Sequence, residues 1–127
     1  MQKNQKGFTI IELLVVIVII GILVALALPN LFSAQARGRD TDRKNELKNA
    51  QQQLETSFND TGVYPADWTT VVTNADDRSG PRNDAYTYTP TPSGCTDACD
   101  GYSLSADLEN DSDPDATNGN YVLNSVN

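Results

Sequence analysis

Residues 7–28 read GFTIIELLVVIVIIGILVALAL, and the one charged side chain in this run is Glu12. From Phe8 to Leu28 a helix rises about 31 Å at about 1.5 Å per residue, which matches a hydrocarbon core of about 30 Å. The run is thus long enough to span a bilayer. An ionised carboxylate near the centre of a membrane costs about 2.5–3.5 kcal/mol or more, so Glu12 marks a functional position that needs neutralising. Thr9 and Glu12 also fit the Thr-x-x-Glu capping box, in which the two side chains satisfy free amides at a helix start.

On the N-terminal side, Lys3 and Lys6 are the charged residues before the apolar run, as in the basic start of an export signal. The apolar stretch exceeds an ordinary signal h-region and no Ala-x-Ala site follows it, so any cut is expected before the run. Arg37, Arg39 and Arg43 flank the other end, which weakens the positive-inside signal. An N-terminus in the cytoplasm then rests on first-helix logic.

On the C-terminal side, Pro29 and Asn30 interrupt the apolar run, yet Leu31 to Phe58 is rich in good helix formers. One long helix from Phe8 to Asn59 is predicted, broken or kinked near Pro29, with Gly21 a second weak point. Leu47, Ala50, Leu54 and Phe58 recur at helical spacing and form a stripe toward a partner layer. Arg43, Lys44, Glu46, Lys48 and Glu55 are assigned to the opposite face. Gly62 and Pro65 mark the helix stop.

Beyond it, Asp67 is placed to cap a short helix reaching Val72, against the β-branched run Thr69 to Thr73. Strands are expected at Tyr86–Thr89, Tyr102–Glu109 and Tyr121–Val126, with Asn118 and Gly119 supplying a turn. The fold class is therefore α+β: a long N-terminal helix packed on a small antiparallel sheet of about three strands.

Nine Lys and Arg stand against 17 Asp and Glu, and only Arg78 and Arg82 fall after residue 58. This distribution argues against a broad nucleic-acid-binding surface. Cys95 and Cys99 lie in the half that a membrane helix would deliver to an oxidising compartment, so a disulfide pinning a local loop is expected. The chain has no histidine to complete a zinc site with them. Neither a phosphate-cradling glycine loop nor a nucleophile elbow is present, and an enzyme is not expected.

Asp107, Glu109, Asp111, Asp113 and Asp115 offer oxygens to calcium. Asp111, Asp113 and Asp115 mimic the start of an EF-hand loop, but Ala116 replaces its glycine and Val122 its final glutamate. A solvated acidic loop is the alternative. Asn59–Thr61 and Asn110–Ser112 match the short Asn-x-Ser/Thr sequon.

Gly7, Phe8, Thr9, Ile10, Ile11, Glu12, Leu13 and Leu14 resemble the class III signal of type IV pilins and of the pseudopilins of type II secretion and competence systems. The resemblance implies a peptidase cut between Gly7 and Phe8, N-methylation of Phe8, and a role for Glu12 in assembly, paired with the new α-amino group of its own chain or a neighbour. Pro29 falls where these proteins often carry a helix-breaking proline. The implied organisation is a leader at 1–7, a transmembrane and filament-core helix at 8–30, and a soluble head at 31–127. The implied function is that of a pilin: an inner-membrane precursor that becomes a homo-oligomeric surface filament, served by prepilin peptidase, an assembly platform and its ATPase. A major pseudopilin is the alternative, and such proteins can hold calcium in a C-terminal loop. From another class, a membrane-anchored binding domain that never polymerises would leave the Gly7, Phe8, Glu12 arrangement unexplained.

Overall fold

The computed structural model describes residues 7–96 and 98–127. Of the leader expected at 1–7, only Gly7 lies among them. The chain divides into two units, Met1–Gln35 and Ala36–Asn127, and helix α1, Ile10–Thr61, contributes to both.

In the first unit, α1 contains a window of mean hydropathy 3.3, none of it buried, which is long and apolar enough to cross a membrane. The large apolar side chains of this unit from Phe8 to Phe32 are all exposed, by 44–84%. The helix runs through Gly21 and Pro29 without a gap, the single long helix that was expected. Proline removes one backbone hydrogen bond, whereas the good helix formers on both sides keep theirs. The Ser33 hydroxyl donates to the Pro29 carbonyl at 3.3 Å.

In the second unit, α1 buries Asp40, Arg43, Leu47, Ala50 and Leu54. Their spacings of three, four, three and four put all five on one stripe. Two polar rows flank that stripe and also face the rest of the unit. On one flank, Lys44, Gln51 and Glu55 hold Asp113 and Asp115, the Asn124 carbonyl, and two tyrosine hydroxyls. On the other flank, Glu46 accepts from the Tyr86 hydroxyl, and Asn49 and Gln53 donate to Asp77. The assignment of Arg43, Lys44, Glu46 and Glu55 to an outer face is thus corrected: of the five residues only Lys48 is exposed. These charges are inside because the segments packed on the helix supply partners of opposite charge or hydroxyl donors.

Gly62 ends the helix with φ +76°, and its N–H donates to the Phe58 carbonyl at 2.7 Å. A left-handed residue at this position closes a helix while satisfying a terminal carbonyl. Tyr64 then bridges Cys99 through two backbone bonds of 3.0 Å. Asp67 caps as expected, accepting from the Thr69 N–H at 2.9 Å, but the helix it starts is one 3-10 turn, Trp68–Thr70. The β-branched residues that follow explain the short length.

The sheet has four antiparallel strands: β1 Thr87–Thr91, β2 Gly101–Asp107, β3 Ala116–Thr117 and β4 Asn120–Asn124. Their spatial order is β1-β2-β4-β3. The strand not foreseen, β3, pairs with β4 over two residues around Asn118 and Gly119, whose φ values of +53° and +80° suit a tight hairpin turn. Strand β1 tolerates Pro90 because it lies at the sheet edge, where a missing N–H is least harmful. On the inner face, Leu104 stands opposite Tyr88 and Leu123, Ala106 opposite Tyr121, and Tyr102 opposite Pro90. This face meets Leu47, Ala50 and Leu54 in a single core. Trp68, Tyr88, Tyr102, Tyr64 and Phe58 run through it as successive ring contacts of 5.6, 5.7, 4.9 and 4.4 Å.

Candidate functional site

The start of α1 is a capping box. The Thr9 hydroxyl and backbone N–H both donate to Glu12 Oε2 at 2.9 Å, and the Glu12 N–H donates back to the Thr9 hydroxyl at 3.3 Å. Glutamate at the third helical position suits this role, since its chain reaches back to the amides that the first turn leaves free. Glu12 Oε1 has no hydrogen-bond partner among the described residues. Gly7 precedes this box in open space, with nothing within 4 Å of where a Cβ would stand, and Phe8 is 84% exposed.

In the head, Cys95 and Cys99 form a disulfide with Cα atoms 5.7 Å apart. It closes the connection between β1 and β2, and Cys99 carries the backbone bridge to Tyr64. The bond therefore fixes this connection to the chain leaving α1.

The five acids proposed for calcium do not converge on one point. Glu109 receives Arg39 Nε at 2.7 Å and Arg43 Nη1 at 2.9 Å; the Arg39 guanidinium is the main cause holding its carboxyl down at about 2. Asp113 and Asp115 receive Lys44 Nζ at 2.5 and 2.8 Å. Asp107 and Asp111 lie beside Gly119. No group of three or more His, Cys, Asp or Glu is placed to hold a metal ion among the described residues.

An ion network that no sequence motif announces organises this end of the head. Asp40, 1% exposed, accepts from Arg43 Nη1 at 2.8 Å and from the backbone N–H groups of Glu109 and Asn110 at 2.9 Å each. Arg43 also reaches Asp84 Oδ2 at 2.5 Å. Burial works against its charge, but hydrogen bonds to Asp84, Glu109 and Asp40 outweigh it and push the guanidinium pKa up. Continuing the Leu54, Ala50, Leu47 periodicity one turn back gives Arg43 and then Asp40. That was the available signal, and charge alone hid it. Asn110, in the second sequon, has its side-chain oxygen engaged with the Ser112 N–H at 3.4 Å, whereas Asn59 is exposed.

The class is defined by one long helix with a capped start, long and apolar enough to cross a membrane, and by a small α+β head. The family model for the prokaryotic N-terminal methylation motif matches residues 2–28. The chain is 42% identical over 67 residues to fimbrial protein EcpC of Eikenella corrodens, covering 53% of this chain and 44% of the relative. It is 58% identical over 40 residues to the type IV wide pilus major component PilA4 of Thermus thermophilus, covering 32% and 30%. To type II secretion system core protein G of Pseudomonas aeruginosa it is 37% identical over 65 residues, covering 51% and 46%. The chain thus spans less than half the length of each of these relatives. No solved structure matches. The N-terminal part of the chain is thus similar to type IV pilins and to a type II secretion core protein, through the methylation motif and the residues that follow it.

Proposed function

We propose that this chain is the precursor of a filament subunit, cut between Gly7 and Phe8, N-methylated at Phe8, and polymerised through its apolar helix into a type IV pilus-like surface fibre for adhesion, motility or DNA uptake. Prepilin peptidase, an inner-membrane assembly platform and its ATPase are the partners this requires. The observation that carries the reading is the start of α1, where the methylation motif, an unpartnered apolar surface and the capped Glu12 coincide. Helices in lipid gain little from apolarity alone, so close packing among copies calls for shape fit and a polar contact. Glu12 can supply that contact, because the capping box engages one carboxylate oxygen and the other is available to the α-amino group that cleavage creates. The chain acts as a structural subunit rather than an enzyme, resident in the inner membrane before assembly and at the cell surface after it.

The similarity to type II secretion core protein G supports a second reading, a pseudopilin in a short secretion or competence filament. Mass spectrometry of filaments sheared from cells tests the first. An N-terminal peptide beginning at methylated Phe8 is expected, and intact Met1 throughout mature material refutes processing. Glu12→Ala should remain membrane-bound and processed while filament yield falls; unchanged yield removes Glu12 from assembly. Recovery of processed chain only in cell-envelope fractions, with none in sheared fibres, favours the pseudopilin.

A further inference from the structure

Calcium in the C-terminal loop, which the resemblance implies, does not fit the side chains present. Lys44 projects from α1 into the loop before β3 and places its ammonium 2.5 Å from Asp113 Oδ1 and 2.8 Å from Asp115 Oδ2. The Tyr121 ring centroid lies 5.6 Å from the same nitrogen, so its π-face gives the cation a third favourable neighbour. The Asp115 N–H donates to Asp113 Oδ1 at 2.9 Å, and the Ala116 N–H to the Asp113 carbonyl at 3.0 Å. Asp113 is thus the hinge of the loop, with the ammonium directly on its carboxylate. The neighbouring acid, Glu109, is already held by Arg39 and Arg43.

We propose that Lys44 is the built-in cation of the 110–116 loop, taking the position a divalent ion would occupy, so that the head closes this loop without metal and becomes metal-responsive only when the ammonium is removed. A carboxylate pair brought together on a loop repels itself and needs positive charge between its members. A lysine tethered to α1 provides that charge at a fixed local concentration, whatever the ionic content outside. It also joins the loop to the helix one residue beyond Arg43, which with Asp40 anchors Glu109 and Asn110. The assignment does not depend on the filament reading, since it concerns the folded head of a single chain.

Thermal unfolding of the full chain in detergent, in EDTA and in calcium chloride, tests this. The unsubstituted protein is expected to melt at the same temperature in both, and a fall in EDTA overturns the proposal. Lys44→Gln should melt lower than the parent in EDTA by about 4–8 °C and recover in calcium at concentrations of about 10⁻⁴–10⁻³ M or above. No fall in EDTA, or no recovery in calcium, refutes it. Terbium emission sensitised by Tyr121 gives a second readout, expected in Lys44→Gln and absent in the parent. Adding Asp113→Asn and Asp115→Asn to Lys44→Gln should abolish both the calcium response and the terbium signal; persistence of either places the ion elsewhere. If Lys44→Gln fails to fold in EDTA, refolding on calcium addition supports the assignment and failure to refold counts against it.

Discussion

Replacing Asp40 by Asn probes the network that fastens the loops to α1, because the substitution preserves shape and changes only charge and one acceptor. Asp40 accepts three bonds, two at Oδ1 from Glu109 N and Arg43 Nη1 and one at Oδ2 from Asn110 N. In the amide, one oxygen keeps the first two donors while an NH2 group faces the Asn110 N–H. Orphaning that buried donor costs about 1–3 kcal/mol, and removing the carboxylate charge from the other two bonds adds about 1 kcal/mol. A loss of about 3 kcal/mol is therefore expected, equivalent to about 12–24 °C in Tm for a head of this size. Thermal unfolding followed by circular dichroism in detergent measures it. Arg43→Met should also be strongly destabilising, because it strands buried Asp40. The double variant Asp40→Asn, Arg43→Met should be less destabilised than the sum of the singles, as coupled partners require. A fall below about 4 °C for Asp40→Asn, corresponding to about 1 kcal/mol, refutes the view that Asp40 organises these loops.

The Glu109 carboxyl sits at about 2 against an ordinary 4.5, so between these pH values the unfolded chain binds a proton that the folded chain does not. Stability from this group is full above that window and falls as pH drops through it; Glu46, raised chiefly by burial, acts in the opposite sense. The Tm difference between parent and Glu109→Gln should shrink on acidification, and a constant difference refutes this. Gly80→Ala would bring a methyl within 3.1 Å of the Tyr86 hydroxyl and 3.3 Å of Arg43 Nε. Since Arg43 is fixed, a loss of about 1–3 kcal/mol is expected by denaturant titration, and a neutral result means the network yields. Replacing both Cys95 and Cys99 by Ala should cost about 2 kcal/mol for so short a loop and speed hydrogen exchange at the Tyr64 amide, whose acceptor is the Cys99 carbonyl. Unchanged exchange would detach the disulfide from that bridge.

Local rules made much of this molecule legible. The apolar run, the Thr9–Glu12 box, the Leu47–Ala50–Leu54 stripe, the Gly62 stop and the cysteine pair each announce themselves through composition or short spacing. What stayed hidden depends on contacts far apart in sequence. Arg43 reads as a surface residue until Asp84 and Glu109 are brought to it from 41 and 66 positions away. Likewise the five acids near the C-terminus resemble one site in sequence, yet helix residues draw Glu109 to Arg39 and Arg43, and Asp113 and Asp115 to Lys44. Strand β3 escaped because two residues are too few to show alternation.

The order of the sheet has one further consequence. At one margin stands β1 with Pro90, which has no N–H to offer, and at the other stands β3, only two residues long. Neither border can template a long ladder with another molecule. Crowded copies of this head are thereby protected against open-ended cross-chain strand addition, so close association at high density need not drift toward amyloid-like aggregation.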